Sequence, residues 1–141
     1  MAEYIANAIQ TVLPNQNILF TNTAVCGNNS IMHRIGSGLV SLRGLTNQCR
    51  ARFRATFSGN IAVSTGETVG PISVAIALNG EAIQSTNMIV TPAAVGDYFN
   101  VSSSIFVDIP QGCCANISIR NTSDDVTIDV QNANLIVERV A

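Results

Sequence analysis

The chain has no lysine and no tryptophan, one histidine, and charged residues at only 11% of its 141 positions, where soluble domains usually carry about 25%. Each shortage excludes something. Seven arginines against nine acids leave a net charge of −2, so there is no basic excess to neutralise a phosphate backbone, and nucleic acid is not an expected partner. His33 stands alone in Ile31-Met-His-Arg-Ile35 and no Gly-x-Ser-x-Gly elbow occurs. With no nucleophile and base grouped together, no enzymatic activity is expected. No apolar run approaches the roughly 18 residues that span a bilayer, so no membrane contact of that kind is expected. The opening Met1-Ala-Glu-Tyr-Ile-Ala-Asn-Ala lacks the basic start and apolar stretch of a secretory signal, which argues against export by that route. Cys26, Cys49, Cys113 and Cys114 contain no Cys-x-x-Cys, and with one histidine for company they make no zinc site; no cofactor is expected.

Apolar residues make up 47% of the chain, and its polar share is mostly Asn, Ser and Thr, which suit turns and strands. The length accommodates one ordinary domain, residues 1–141. No helical apolar periodicity is sustained. Short apolar runs alternate instead with turn clusters, and the predicted strands are Ala8–Leu13, Ile18–Thr21, Ile31–Ile35, Leu39–Arg43, Cys49–Ser58, Ile72–Leu78, Ala82–Val90, Tyr98–Ile109, Ala115–Asn121, Val126–Val130 and Asn134–Val140. This rhythm predicts an all-β sandwich or barrel.

The clearest strand is Pro71-Ile-Ser-Val-Ala-Ile-Ala-Leu78, followed by Asn79-Gly80. Ile72, Val74, Ile76 and Leu78 share one face, and Asn-Gly is the pair that best tolerates the two positive φ values of a type I′ hairpin. The other face, Ser73, Ala75 and Ala77, is small rather than charged. A sheet buried on both sides in so short a chain predicts that a partner subunit packs there.

In Cys49-Arg-Ala-Arg-Phe-Arg-Ala-Thr-Phe-Ser58 the odd positions are apolar, and Arg50, Arg52 and Arg54 line the opposite face. Guanidiniums about 7 Å apart repel unless acids or anions lie between them. They either pair with carboxylates of a neighbouring strand or subunit, or bind a polyanion such as a sialic-type glycan. Tyr98–Ile109 has one nearly continuous apolar face and a polar one bearing Phe106, as a central sandwich strand would. Cys113 and Cys114 are adjacent and point to opposite faces as small strand residues; the spacing leaves a Cys26–Cys49 disulfide open. Asp124, Asp125 and Asp129 either serve a turn or hold calcium, and the turn is the expectation, with no metal. Four Asn-x-Ser/Thr triplets begin at Asn28, Asn100, Asn116 and Asn121. An Asn-, Ser- and Thr-rich chain generates such triplets by composition, so they carry weight only with secretion.

The C-terminal half, with Phe99-x-Val-Ser-x-x-Ile-Phe-Val-Asp-Ile-Pro-x-Gly112, Asn116-Ile-Ser-Ile-Arg-Asn121 and Asn132-Ala-Asn-Leu-Ile-Val-Glu-Arg-Val140, resembles the compact jelly rolls of the tumour necrosis factor and complement-head superfamily. It looks most like the bacterial and bacteriophage branch, including exosporium-type C-terminal domains and small phage virion proteins. The resemblance covers roughly residues 70–141 and extends to the first half only in strand rhythm. It implies a sandwich of about ten antiparallel strands that assembles as a homotrimer about a threefold axis, with Ser73, Ala75 and Ala77 in the contact. The chain departs from the exosporium type in having no Gly-X-Y stalk, and from the complement heads in its few aromatics.

These features lead to the expectation of a structural, trimeric phage virion protein, made in the bacterial cytoplasm and contacting other virion proteins through residues 1–7, with Tyr4 and Ile5 in the attachment. The alternative is a receptor- or glycan-binding head on a phage, bacterial or spore surface, with its site in the loops Ser58–Gly70 and Thr91–Gly96.

Overall fold

Alternation of apolar and polar side chains runs unbroken from Arg50 into the Ile61-Ala-Val63 end of the longest strand, and the architecture is organised around that strand. The computed structural model describes residues 1–141. Its strands, in chain order, are β1 (Ala2–Ala6), β2 (Gln10–Val12), β3 (Asn22–Val25), β4 (Ile31–His33), β5 (Val40–Arg43), β6 (Arg50–Val63), β7 (Ile72–Leu78), β8 (Glu81–Ala82), β9 (Met88–Val90), β10 (Phe99–Pro110), β11 (Cys114–Asn121) and β12 (Ile128–Arg139). One 3-10 turn, Gln84–Thr86, lies between β8 and β9. The first sheet runs β10-β6-β12-β1-β3, with β2 also on β12; the second runs β4-β5-β11-β7, with β8 and β9 both on β7. Every pairing is antiparallel. Thirty buried side chains from both sheets form one core, with Tyr4, Phe20, Phe53 and Phe57 its largest members.

The Asn79-Gly80 turn has positive φ at both residues, 52° and 85°, which the right-handed twist of the flanking strands requires and which Asn and Gly adopt at least cost. Thr86 repairs the gap between β8 and β9. Its hydroxyl accepts from Ile76 N at 3.0 Å and approaches Ile83 O at 2.7 Å, standing in for a missing stretch of neighbouring strand.

Several elements differ from the sequence reading. Residues Val126–Val130 and Asn134–Val140 are not two strands but the two halves of β12, joined through a bulge. On β6, Asn60 and Ser58 are two residues apart, but their partners Gln131 and Asn134 are three apart. Asn132 absorbs the extra residue at φ 56°. The bulge keeps Val130 and then Ala133, Leu135 and Val137 all facing the core. Gly59 lies opposite, where a Cβ would come within 3.1 Å of the Phe57 ring and 3.4 Å of Ala133 Cα. The strand β10 lies at the edge of its sheet and not at the centre, because apolar alternation reports which face is buried and not how many neighbours a strand has. Ile18–Thr21 is not a strand; Ile18 and Phe20 are nonetheless buried, tied by Ile18 N to Ile119 O and Phe20 N to Ser37 O.

Residues 1–7 are not a free arm. Ala2–Ala6 forms β1, hydrogen-bonded between β12 and β3, with Ala2, Tyr4 and Ala6 buried. Tyr4 therefore belongs to the core, and of the two residues expected to make an attachment only Ile5 faces outward.

Candidate functional site

The outer face of the first sheet carries the arginine row. Antiparallel register sets Asp108 opposite Arg52, Phe106 opposite Arg54, and Arg54 opposite Glu138. Arg52 grips Asp108 with Nε at 2.8 Å from Oδ1 and Nη2 at 3.1 Å from Oδ2, while Arg50 Nε lies 3.0 Å from Oδ2. Arg54 pairs with Glu138. Hydrogen bonding from Arg52 holds the Asp108 carboxyl below its usual range, against some desolvation and with the charges of Arg52 and Arg50 assisting; the same bonds raise Arg52. The three guanidiniums are thus held by carboxylates of this chain, and the row is an inter-strand ion-pair ladder.

Beyond the ladder the same face carries mostly uncharged groups, with the Glu3 carboxylate among them. Thr56 and Ser104 hydroxyls meet at 3.0 Å, Asn100 donates to Asn60 at 3.2 Å, and Asn134 donates to Glu3 at 2.6 Å. Ile5 and Ile136 are half-buried among them. Short side chains that already bond one another form a flat surface with little rotamer entropy to lose. Beside it runs β10, and here the aromatics separate cleanly. Tyr4, Phe20, Phe53 and Phe57 are buried, whereas Tyr98, Phe99 and Phe106 are exposed, Phe106 at 61%. Partial burial raises the Tyr98 hydroxyl above its usual pKa, helped by the charge of Asp129.

The face carrying Ser73, Ala75 and Ala77 differs from expectation. Ala75 and Ala77 are 1% and 0% exposed within a single chain. Arg120 lies opposite Ala75 on β11, and its Nη1 donates to Gly80 O at 2.7 Å beyond the turn. Its aliphatic stem spans the intervening residues, in the manner of long basic side chains that cover apolar surface. Ser73 bonds Thr122 at 2.7 Å, and its backbone is held by Ser123. The small residues make room for these covering groups, and no partner subunit is needed to bury them.

On the outer side of the second sheet, β4, β5 and β11 border a groove of about 700 Å³. Arg34 and Arg43 line it, with Ser41 and Asn116 on its floor, Met32 and Leu39 exposed beside them, and the Cys114 thiol at one side. Ser41 donates to Asn116 Oδ1 at 2.9 Å. His33 closes the wall: its ring packs on Tyr4 at 4.5 Å and edge-on to Phe20 at 6.3 Å, and Nε2 donates to Ser37 O at 2.8 Å. A carbonyl can only accept, so the proton sits on Nε2, and Nδ1 is left buried without a partner. A second cavity of about 500 Å³ lies between the loop Thr68–Pro71 and the β11–β12 turn, where Ser123 and Asp124 face Ile89 and Val126. The predicted Ser58–Gly70 region borders this second cavity only through Thr68–Gly70, and Thr91–Gly96 borders neither space.

All four cysteines are exposed free thiols, and Cys26 and Cys49 are unbonded. Burial raises the Tyr4 hydroxyl, with nearby Cys26 adding to the effect. Asp124 and Asp125 sit in an exposed turn, Asp125 at φ 56°. Asp129 is occupied elsewhere, accepting from Thr11 at 3.0 Å and Ser64 at 3.1 Å. No three metal-ligating side chains converge.

No protein-family model and no curated protein matches the chain in sequence. The globular domain of the zebrafish complement 1qA protein matches over 96% of this chain and 94% of its own, at 10% identity and a TM-score of 0.63. Murine APRIL matches over 99% and 98%, at 8% identity and a TM-score of 0.64. The architecture is therefore an all-β jelly roll of the complement C1q and tumour necrosis factor type.

Proposed function

We propose that the chain is the head of a homotrimer that works by binding rather than by catalysis, its protomers meeting through β10 and the outer face of the first sheet. One observation carries this reading: all of the exposed aromatic side chains, Tyr98, Phe99 and Phe106, lie on or immediately before a single edge strand. An edge strand that presents large apolar rings to water is what natural sheets avoid unless a second chain covers it. The hydroxyl and amide pairs beside β10, Thr56 with Ser104 and Asn60 with Asn100, are inexpensive to desolvate, because they already satisfy one another. A closed threefold assembly is the one implied by the resemblance to complement and tumour necrosis factor heads. Sedimentation of the protein should give a trimer, and Phe106→Asp should give a folded monomer with an unchanged circular dichroism spectrum. A wild-type monomer at micromolar concentration would sink the proposal.

A second reading, a structural accessory protein of a bacteriophage virion, is favoured by a different surface. Ile9, Leu13 and Leu19 are exposed around the reciprocal hydrogen bonds of Gln10 with Leu19, toward the edge of the first sheet opposite β10. That apolar surface stays free when β10 is covered and is suited to seating a trimer on other virion proteins. Co-purification with particles, lost in Leu13→Asp while the trimer persists, supports this role; absence of the chain from purified particles removes it.

A further inference from the structure

Seven arginines are the chain's entire supply of lasting positive charge, and the structure employs five of them. Arg50, Arg52 and Arg54 are held by carboxylates, while Arg120 and Arg139 donate to backbone carbonyls. The two whose guanidiniums form no hydrogen bond or ion pair within the chain are Arg34 and Arg43, and both line the same groove. No acidic residue lines it with them. In a chain of net charge −2, this groove is a local concentration of positive charge with unfilled donor capacity.

We infer that the groove between β4, β5 and β11 binds an acidic sugar, a carboxylate-bearing saccharide unit held by Arg34 and Arg43. The inference rests on the reading of the chain as a binding head and names its ligand class. Three features select the chemistry. A planar guanidinium fork matches a carboxylate with two parallel hydrogen bonds. The floor supplies neutral partners for sugar hydroxyls: Ser41 spends its proton on Asn116 Oδ1, which orients the Asn116 side-chain amide nitrogen and leaves it free to donate, while the Ser41 oxygen can still accept. Met32 and Leu39, exposed beside the groove, offer apolar surface to the C–H face of a sugar ring. The lining also argues against nucleic acid. It presents no aromatic platform on which a base could stack, since the His33 ring is packed against Tyr4 and Phe20, and the chain as a whole repels a polyphosphate. A volume of about 700 Å³ suits a ligand of one or two sugar rings. The groove lies on the sheet opposite the proposed subunit contact, so a trimer would present three copies of it and bind a multivalent glycan far more tightly than a single unit.

The test is titration calorimetry of the intact protein with 3′-sialyllactose, digalacturonate, lactose and sodium phosphate, repeated with Arg34→Gln/Arg43→Gln. Neither guanidinium has an intrachain partner, so the double variant should keep the wild-type melting temperature. At least one acidic sugar should bind, lactose should bind at least tenfold more weakly, and the double variant should lose roughly tenfold or more in affinity, as expected for removed charge-assisted hydrogen bonds. The two acidic sugars separate a sialic from a uronic source. The inference is overturned if neither acidic sugar binds at millimolar concentration, if the double variant binds as well as wild type, or if phosphate competes as effectively as the sugar. Sedimentation of the same sample separates this outcome from the assembly proposal. A trimer that binds no acidic sugar overturns the ligand assignment alone; a monomer that binds one supports that assignment and overturns the trimer.

Discussion

Arg52 clasps Asp108 across β6 and β10 with two parallel hydrogen bonds, 2.8 and 3.1 Å long, and Arg50 takes the same carboxylate from the side at 3.0 Å. One acid thereby quiets two of three neighbouring guanidiniums and fixes the end of an edge strand. The ladder is open to solvent, so its contribution is screened. Its value lies in holding the register of β10, the strand that presents the exposed aromatics.

Acid should weaken this clasp in a defined direction. The native Asp108 carboxyl lies below its unfolded value, chiefly through the Arg52 hydrogen bonds. The stability it contributes is therefore present above the ordinary carboxylate range and is lost as pH falls through the depressed native value. Melting temperatures of wild type and Asp108→Asn should differ at neutral pH and converge in acid, and salt should narrow the neutral gap. Parallel curves at all pH values would show that the pair adds nothing.

Tyr4 should behave as a core residue. It is 2% exposed and packed in a tilted arrangement against His33, so Tyr4→Ala should cost about 3–5 kcal/mol, the range for emptying a large aromatic site. Urea denaturation measures it. Removing residues 1–7 takes out a strand paired on both sides and should abolish cooperative unfolding; a truncated protein with a wild-type midpoint would contradict the placement of β1.

The bulge at Asn132 offers a sharper local test. Its φ of 56° is left-handed, where a β-branched side chain is disfavoured by about 1–2 kcal/mol. Asn132→Val should lower stability by that amount in denaturant titrations, whereas Asn132→Gly should be near neutral. Deleting the residue would let Val130, Ala133, Leu135 and Val137 alternate regularly on the core face, so the deletion variant should keep all four buried and remain folded.

The all-β class, the Asn79-Gly80 turn and the long alternating strands β6, β7 and β10 were legible because each is written in local order: a period of two, or a pair of residues suited to positive φ. What was not legible depends on contacts distant in sequence. In β1, Ile5 faces out while Tyr4 faces in, so hydropathy does not alternate and five residues leave no signature. Asn132 fell between the predicted strands Val126–Val130 and Asn134–Val140 because a bulge interrupts the alternation of a strand as a turn does. The small face of β7 pointed to a second subunit because the covering group, Arg120, comes from β11. The groove was invisible for the same reason: a partnerless arginine is recognised only after every acid has been located in space.

The arrangement around β12 sets a schedule for folding. It lies between β6 and β1 in the first sheet and also carries β2, so until it arrives that sheet exists only as two detached pairs, β10 with β6 and β1 with β3, and an unpaired β2. On a ribosome β1 is made before every other strand of the sheet and must wait for the twelfth, its Tyr4 side chain meanwhile exposed to whatever else is nearby. Closure across nearly the whole chain is slow by its entropy. Loss of β12 through premature termination would leave every earlier strand intact and still dissect the sheet along its middle.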